Sequence, residues 1–238
     1  MPNAWDRPGT GSPFRMGHAT ADPLHLAVGQ ALSKWERLEG EMAHLYSQFL
    51  SRGEAPYFNI PAVRAFGTLN SPAAKADMIT AAAEAYFHWL AWDVRINVSA
   101  TVMQELEVVE AELRSILKSY RGWMSRRNDI AHGYVAHTGP WDDNTVTHLL
   151  YPSECSTNKW CVVVGEPAYA YEAKHIDVFG TAFEALEAAV RKLCDGLTEF
   201  DKKVRALLPQ RKKSTMRPVS NDAVSLDGAP PAHETREH

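Results

Sequence analysis

The chain has 238 residues, 45% of them hydrophobic and 23% charged, which favours one domain with tails and supplies enough apolar surface for a sizeable core. Lys and Arg number 25 against 29 Asp and Glu, a net charge of −4, which disfavours a wholesale electrostatic nucleic-acid binder and leaves room only for a local basic site. Three cysteines (Cys155, Cys161 and Cys194) without CxxC spacing argue against a disulfide scaffold or a cysteine zinc site. The opening MPNAWDRPGTGSPF has no apolar leader core, and no run of about 18 uncharged apolar residues is present to span a membrane. The expectation is a reduced, cytoplasmic protein.

Residues 1–21 carry Pro2, Pro8, Gly9, Gly11, Pro13 and Gly17 without hydrophobic periodicity and read as a mobile N-terminal tail. A helical domain is expected over residues 22–208. It opens with Asp22 as cap and Pro23 at the first helical position. Leu24, Val28, Ala31, Trp35, Leu38, Met42, Leu45 and Phe49 then recur in steps of four and three, which places them on one helical stripe. Residues 51–70 read as a loop. Ser71-Pro72 starts a second helix by the same logic, with Ala76, Ile79, Ala83, Tyr86 and Leu90 as its stripe. The third runs Leu106, Val109, Leu113, Ile116, Tyr120, Trp123, Arg127, Ile130.

Residues 133–144 read as a second loop. TVTHLLY (145–151) and KWCVVVG (159–165) are β-branched and aromatic and predict a β-hairpin at about 145–165. The last stripe is Phe179, Phe183, Leu186, Val190, Leu193, Leu197, Phe200, Val204, Leu207. From 209 to 238 the composition is again that of a disordered tail, and its RKK run at 211–213 reads as solvated charge. The fold class is therefore mainly α: four to five antiparallel helices in a bundle, with a small hairpin inserted before the last.

Arg127 is the one charge on a seam. A guanidinium there must meet a carboxylate, with Glu36, Glu39 and Asp77 as candidates, or the seam must open into a cleft. Asn128 and His132 are four apart and share a helical face, and Gly133 reads as the residue that ends the helix. Between residues 113 and 137, Arg114, Lys118, Arg121, Arg126 and Arg127 face a single acid, Asp129, so five minus one leaves four positive charges, which suits a phosphate-bearing ligand.

Arg127-Asn128-Asp129-Ile130-Ala131-His132, ahead of Gly133, resembles the R-(polar)-x-x-x-H signature of HEPN domains, which are small helical bundles, many of them ribonucleases of toxin–antitoxin and phage-defence systems. The resemblance extends loosely over residues 24–207 and does not include the hairpin. It implies a metal-independent endoribonuclease in which the RNA 2′-OH attacks the adjacent phosphate. His132 would act as general acid or base, Arg127 would hold the scissile phosphate, and Asn128 would orient His132 or the phosphate by hydrogen bonding. Arg126, Arg121 and Tyr134 would contact substrate.

Arg127 and His132 lie about 140° apart around an ideal helix. Two motifs meeting across a two-fold axis of a homodimer, through the third helix, would bring both residue types to one cleft. An antitoxin or other regulatory partner is a further expectation of the family. No metal or nucleotide cofactor is expected: HExxH and HxxxH pairs, GxGxxG and GxxxxGK[ST] are all missing from the sequence. A non-catalytic helical dimer that binds RNA or a protein stays open, as does a purely structural role for Arg127.

Overall fold

The computed structural model describes residues 3–7, 17–51, 59–97, 100–138, 146–153 and 167–207, with backbone alone for 91–97, 100 and 138. The chain is mainly helical. Among the described residues the helices are α1 (Asp22–Ser51), α2 (Ile60–Gly67), α3 (Pro72–Asn97), α4 (Ala100–His132) and α5 (Ala173–Leu207). Two strands, β1 (Gly133–Thr138) and β2 (Thr147–Pro152), form one antiparallel pair. Among the described residues no helix is long and apolar enough to cross a membrane. The chain divides into Met1–Leu208 and Pro209–His238, and the second part, with its RKK run, lies outside the described residues.

The periodic stripes are the core. Leu24, Ala31, Trp35, Leu38, Met42, Leu45 and Phe49 of α1 are buried, as are Ala76, Ile79, Ala83, Tyr86 and Leu90 of α3. Leu106, Leu113, Ile116, Tyr120, Trp123 and Ile130 of α4 join them, with Phe179 through Val204 of the α5 stripe; only Leu207 emerges, at 48% exposure. Trp35 anchors the centre. Its ring stacks on Tyr120 at 5.1 Å and meets the edge of Phe183 at 5.0 Å, so one indole ties α1, α4 and α5 together.

The helix directions correct the antiparallel expectation. Arg37 reaches Glu187 at 3.2 Å, Arg191 reaches Glu41 at 2.9 Å, and Gln48 reaches Thr198 at 3.3 Å. Both partners advance together along these three pairs, so α1 and α5 run parallel. The pairs Lys75–Glu39 and Phe49–Tyr86 run α3 alongside them in the same sense. Only α4 opposes: Glu105 meets Lys203 at one end and Trp123 meets Phe179 at the other. α2 lies between α1 and α3 in sequence, so two successive long helices are parallel.

α2 itself occupies a stretch expected to be loop. Asn59 caps it by accepting the Ala62 N–H at 3.2 Å, and Phe66 packs against Tyr46. Ser71 caps α3 as expected, accepting from the Ala74 N–H at 3.4 Å. α1 starts one residue early: Asp22 is already helical, and the Leu24 and His25 amides bond the Ala21 carbonyl at 3.1 Å.

The hairpin differs from expectation in its partner. β2 falls where the first hairpin strand was placed, but it pairs with β1, in a segment read as loop, in a register that sets Gly133 opposite Pro152 and His137 opposite His148. Residues 159–165 lie outside the described residues. The other edge of β2 takes bridges from His18 and Tyr171. The N-terminal segment, expected to be a tail, thus contributes His18 to the sheet edge and sets Trp5 against the core.

Candidate functional site

The last turns of α4 carry Ser125-Arg126-Arg127-Asn128-Asp129-Ile130-Ala131-His132, and successive side chains turn about 100°. Arg126 and Asp129 therefore share the face of Gly122 and Gly133. Arg127 lies off that face, beside the Tyr120–Trp123 stripe. Asn128 and His132 point away from both.

Gly133 follows directly into β1. A Cβ there would stand 2.8 Å from the Asp129 carbonyl oxygen and 2.9 Å from that of Tyr151. Glycine is required by the close approach of two backbones, not by a left-handed turn.

Asp129 is the centre of the buried face. It is 1% exposed, and its donors include Arg126 Nη1 at 2.9 Å, the Tyr171 hydroxyl at 3.0 Å, and Arg7, whose Nε and Nη2 take the two carboxylate oxygens at 3.2 and 3.1 Å. Arg126 also donates to the Tyr171 oxygen at 2.8 Å, and the Tyr169 hydroxyl donates to the Asp129 backbone carbonyl at 3.1 Å. Tyr169 and Tyr171 stack at 4.6 Å, and the Arg7 guanidinium lies 5.1 Å from the Tyr169 ring centre. Burial first, then the Asp129 charge, pushes both tyrosine hydroxyls up, so both stay protonated donors.

This arrangement corrects the role given to Arg126. At 6% exposure, with its guanidinium engaged by Asp129 and Tyr171, it has no face to offer a substrate phosphate. Arg121 is exposed but paired with Asp77 at 2.8 Å and near the Thr80 hydroxyl at 3.4 Å. Arg114 is paired with Glu110. Three of the five expected cations of the basic patch are thus held by carboxylates of the chain itself. Tyr134 is half-buried on β1, 6.4 Å from the Tyr151 ring, and belongs to the small cluster under the hairpin.

Arg127 is different. None of its three candidate partners takes it. Glu39 accepts from Trp35 Nε1 and Tyr120, both at 3.0 Å, and from Lys75; Asp77 holds Arg121; and no ion pair joins Glu36 to Arg127. Among the described residues Arg127 has no carboxylate partner, and its Nε is buried without a hydrogen bond. Among the described residues its polar contact is Nη1 to the Asn128 side-chain oxygen at 3.4 Å. His132 is exposed at the helix end, and no hydrogen bond joins it to Arg127 within one chain. The structure therefore brings Arg127 and Asn128 together and leaves His132 apart from them.

Two histidines meet at the free edge of β2. His18 Nε2 accepts from the Ala173 N–H at 3.0 Å, at the start of α5, and His148 exchanges backbone bonds with His18. Among the described residues no group of His, Cys, Asp or Glu could hold a metal.

Asp129, Arg7, Tyr169 and Tyr171 were missed as a unit. The only local signal was the i, i+3 spacing of Arg126 and Asp129. No protein-family model, curated protein or solved structure matches this chain.

Proposed function

We propose that the chain is a HEPN-type, metal-independent endoribonuclease with a HEPN-like bundle, acting as a homodimer through α4. One observation supports this reading above the others: a partly buried guanidinium, Arg127, has no carboxylate partner among the described residues and touches the half-buried Asn128 on the same last turns of α4 that carry the exposed His132. A buried donor left unpaired costs about 1–3 kcal/mol, and the guanidinium around it is only half-buried, which suits an anionic ligand oxygen at its open edge. An RNA phosphodiester is that acceptor in this proposal. Arg127 neutralises the phosphate and the charge that develops on it. His132 of the other protomer transfers the proton of the attacking 2′-OH or of the leaving 5′-oxygen. Asn128 holds the guanidinium in place. The products are a 2′,3′-cyclic phosphate and a 5′-hydroxyl. A cytoplasmic toxin or defence effector with a regulatory partner is the setting the resemblance implies.

A second reading, a non-catalytic helical dimer that binds RNA or a protein, draws support from the pairing of Arg114, Arg121 and Arg126 with internal carboxylates, which leaves little positive field for RNA. The discriminating experiment incubates single-stranded RNA with the protein in EDTA and reads the 3′ ends, beside sedimentation of the same sample. Cleavage to cyclic phosphate by a dimer is expected. Intact RNA, or cleavage only with added metal, contradicts the proposal.

A further inference from the structure

The N-terminal segment is built like a ligand. Residues 3–7 form a turn closed by two short-range bonds: the Asp6 N–H to the Asn3 carbonyl at 3.0 Å, and the Asn3 N–H to the Asp6 carboxylate at 2.6 Å. This turn sets out Trp5 and Arg7 as two anchors. The indole lies on Gly122, where any Cβ would overlap its ring, so α4 is notched to receive it. Two turns further on, Arg7 grips the two oxygens of Asp129 and covers the Tyr169 face. A carboxylate for the fork and an aromatic ring for the plane are the two features that recognise a guanidinium.

The cradle does not need this occupant to stay satisfied. Asp129 keeps Arg126 and the Tyr171 hydroxyl when Arg7 leaves, so no orphaned buried charge opposes release. The Arg7 side chain is itself 34% exposed, against 1% for Asp129.

We propose that this cradle on α4 is a recognition site for a short turn that carries an indole two residues ahead of a guanidinium. Residues 3–7 fill it in cis, and the same turn supplied as a separate peptide fills it in trans. The proposal is independent of the ribonuclease reading, since it concerns the face of α4 opposite Asn128.

The test uses the full chain carrying Trp5→Ala and Arg7→Ala, and the peptide Asn-Ala-Trp-Asp-Arg with blocked ends and a fluorescent label. Saturable binding is expected below about 1 mM peptide. Because the tethered segment competes at an effective concentration in the millimolar range, apparent affinity for the wild-type chain should be weaker by about twofold or more. Peptides with alanine for the Trp or the Arg should not bind. Adding Gly122→Ala, which suits a helix and blocks the notch, should abolish binding to the double variant. In the otherwise wild-type chain, Gly122→Ala should release residues 3–7, so that their amides exchange about tenfold faster or more. No saturable binding, equal binding of the alanine peptides, or unchanged amide protection in the Gly122→Ala chain would overturn the proposal.

Discussion

Arg126 Nη1 lies 2.9 Å from Asp129 Oδ2, one turn along the same helix and almost out of solvent, while the next residue, Arg127, has no carboxylate partner among the described residues. Two adjacent arginines thus do different physical work. One neutralises a buried charge. The other has no counter-charge among the described residues.

Asp129→Ala leaves Arg126 buried without its counter-charge and should destabilise the fold by about 3–5 kcal/mol. Arg7→Ala removes a partner that is already a third exposed and should cost about 1 kcal/mol or less. Urea denaturation of the two variants checks the contrast. Equal losses would mean that the N-terminal segment, not Arg126, holds the hub together.

Gly133→Ala tests the join between α4 and β1. The new methyl meets two backbone carbonyls, neither of which can swing aside, so a loss of about 1–3 kcal/mol is expected. A melting temperature equal to wild type would show that the helix–strand junction has slack.

The periodic parts of the fold were legible because they are local. Every residue of the second stripe, Ala76 to Leu90, is buried, and Arg127, the charge in the third, is half-buried. What escaped depends on pairs distant in sequence. Asp129 finds Arg7 across 122 positions and Tyr171 across 42, and no window of sequence displays such contacts. α2 has eight residues, about two turns, too few to establish a stripe. β1 alternates only weakly, and what makes it a strand is β2, whose side chains are buried where it meets the core.

Stability should also fall in acid in two steps. Burial, above all, holds the His175 imidazole below its ordinary value, opposed by Glu172 and aided by Lys174. The folded state therefore binds fewer protons than the unfolded one. The contribution of His175 is complete above the unfolded value of about 6.5 and is lost as pH falls through the lower folded value. Glu172 is held low by its hydrogen bond from Lys174 and loses its contribution only in more acid solution, below the ordinary carboxylate range. Urea midpoints from about pH 7.5 to about pH 5 should decline in the wild type and decline less in His175→Asn. Equal slopes would place the first step elsewhere.

The most direct measurement compares Arg127→Ala with Arg126→Ala for both RNA cleavage in EDTA and thermal melting, with His132→Ala beside them. Arg127→Ala and His132→Ala should melt near the wild-type temperature and lose cleavage by about a hundredfold or more. Arg126→Ala should melt early. An Arg127→Ala protein that is folded and cleaves RNA at the wild-type rate contradicts the account.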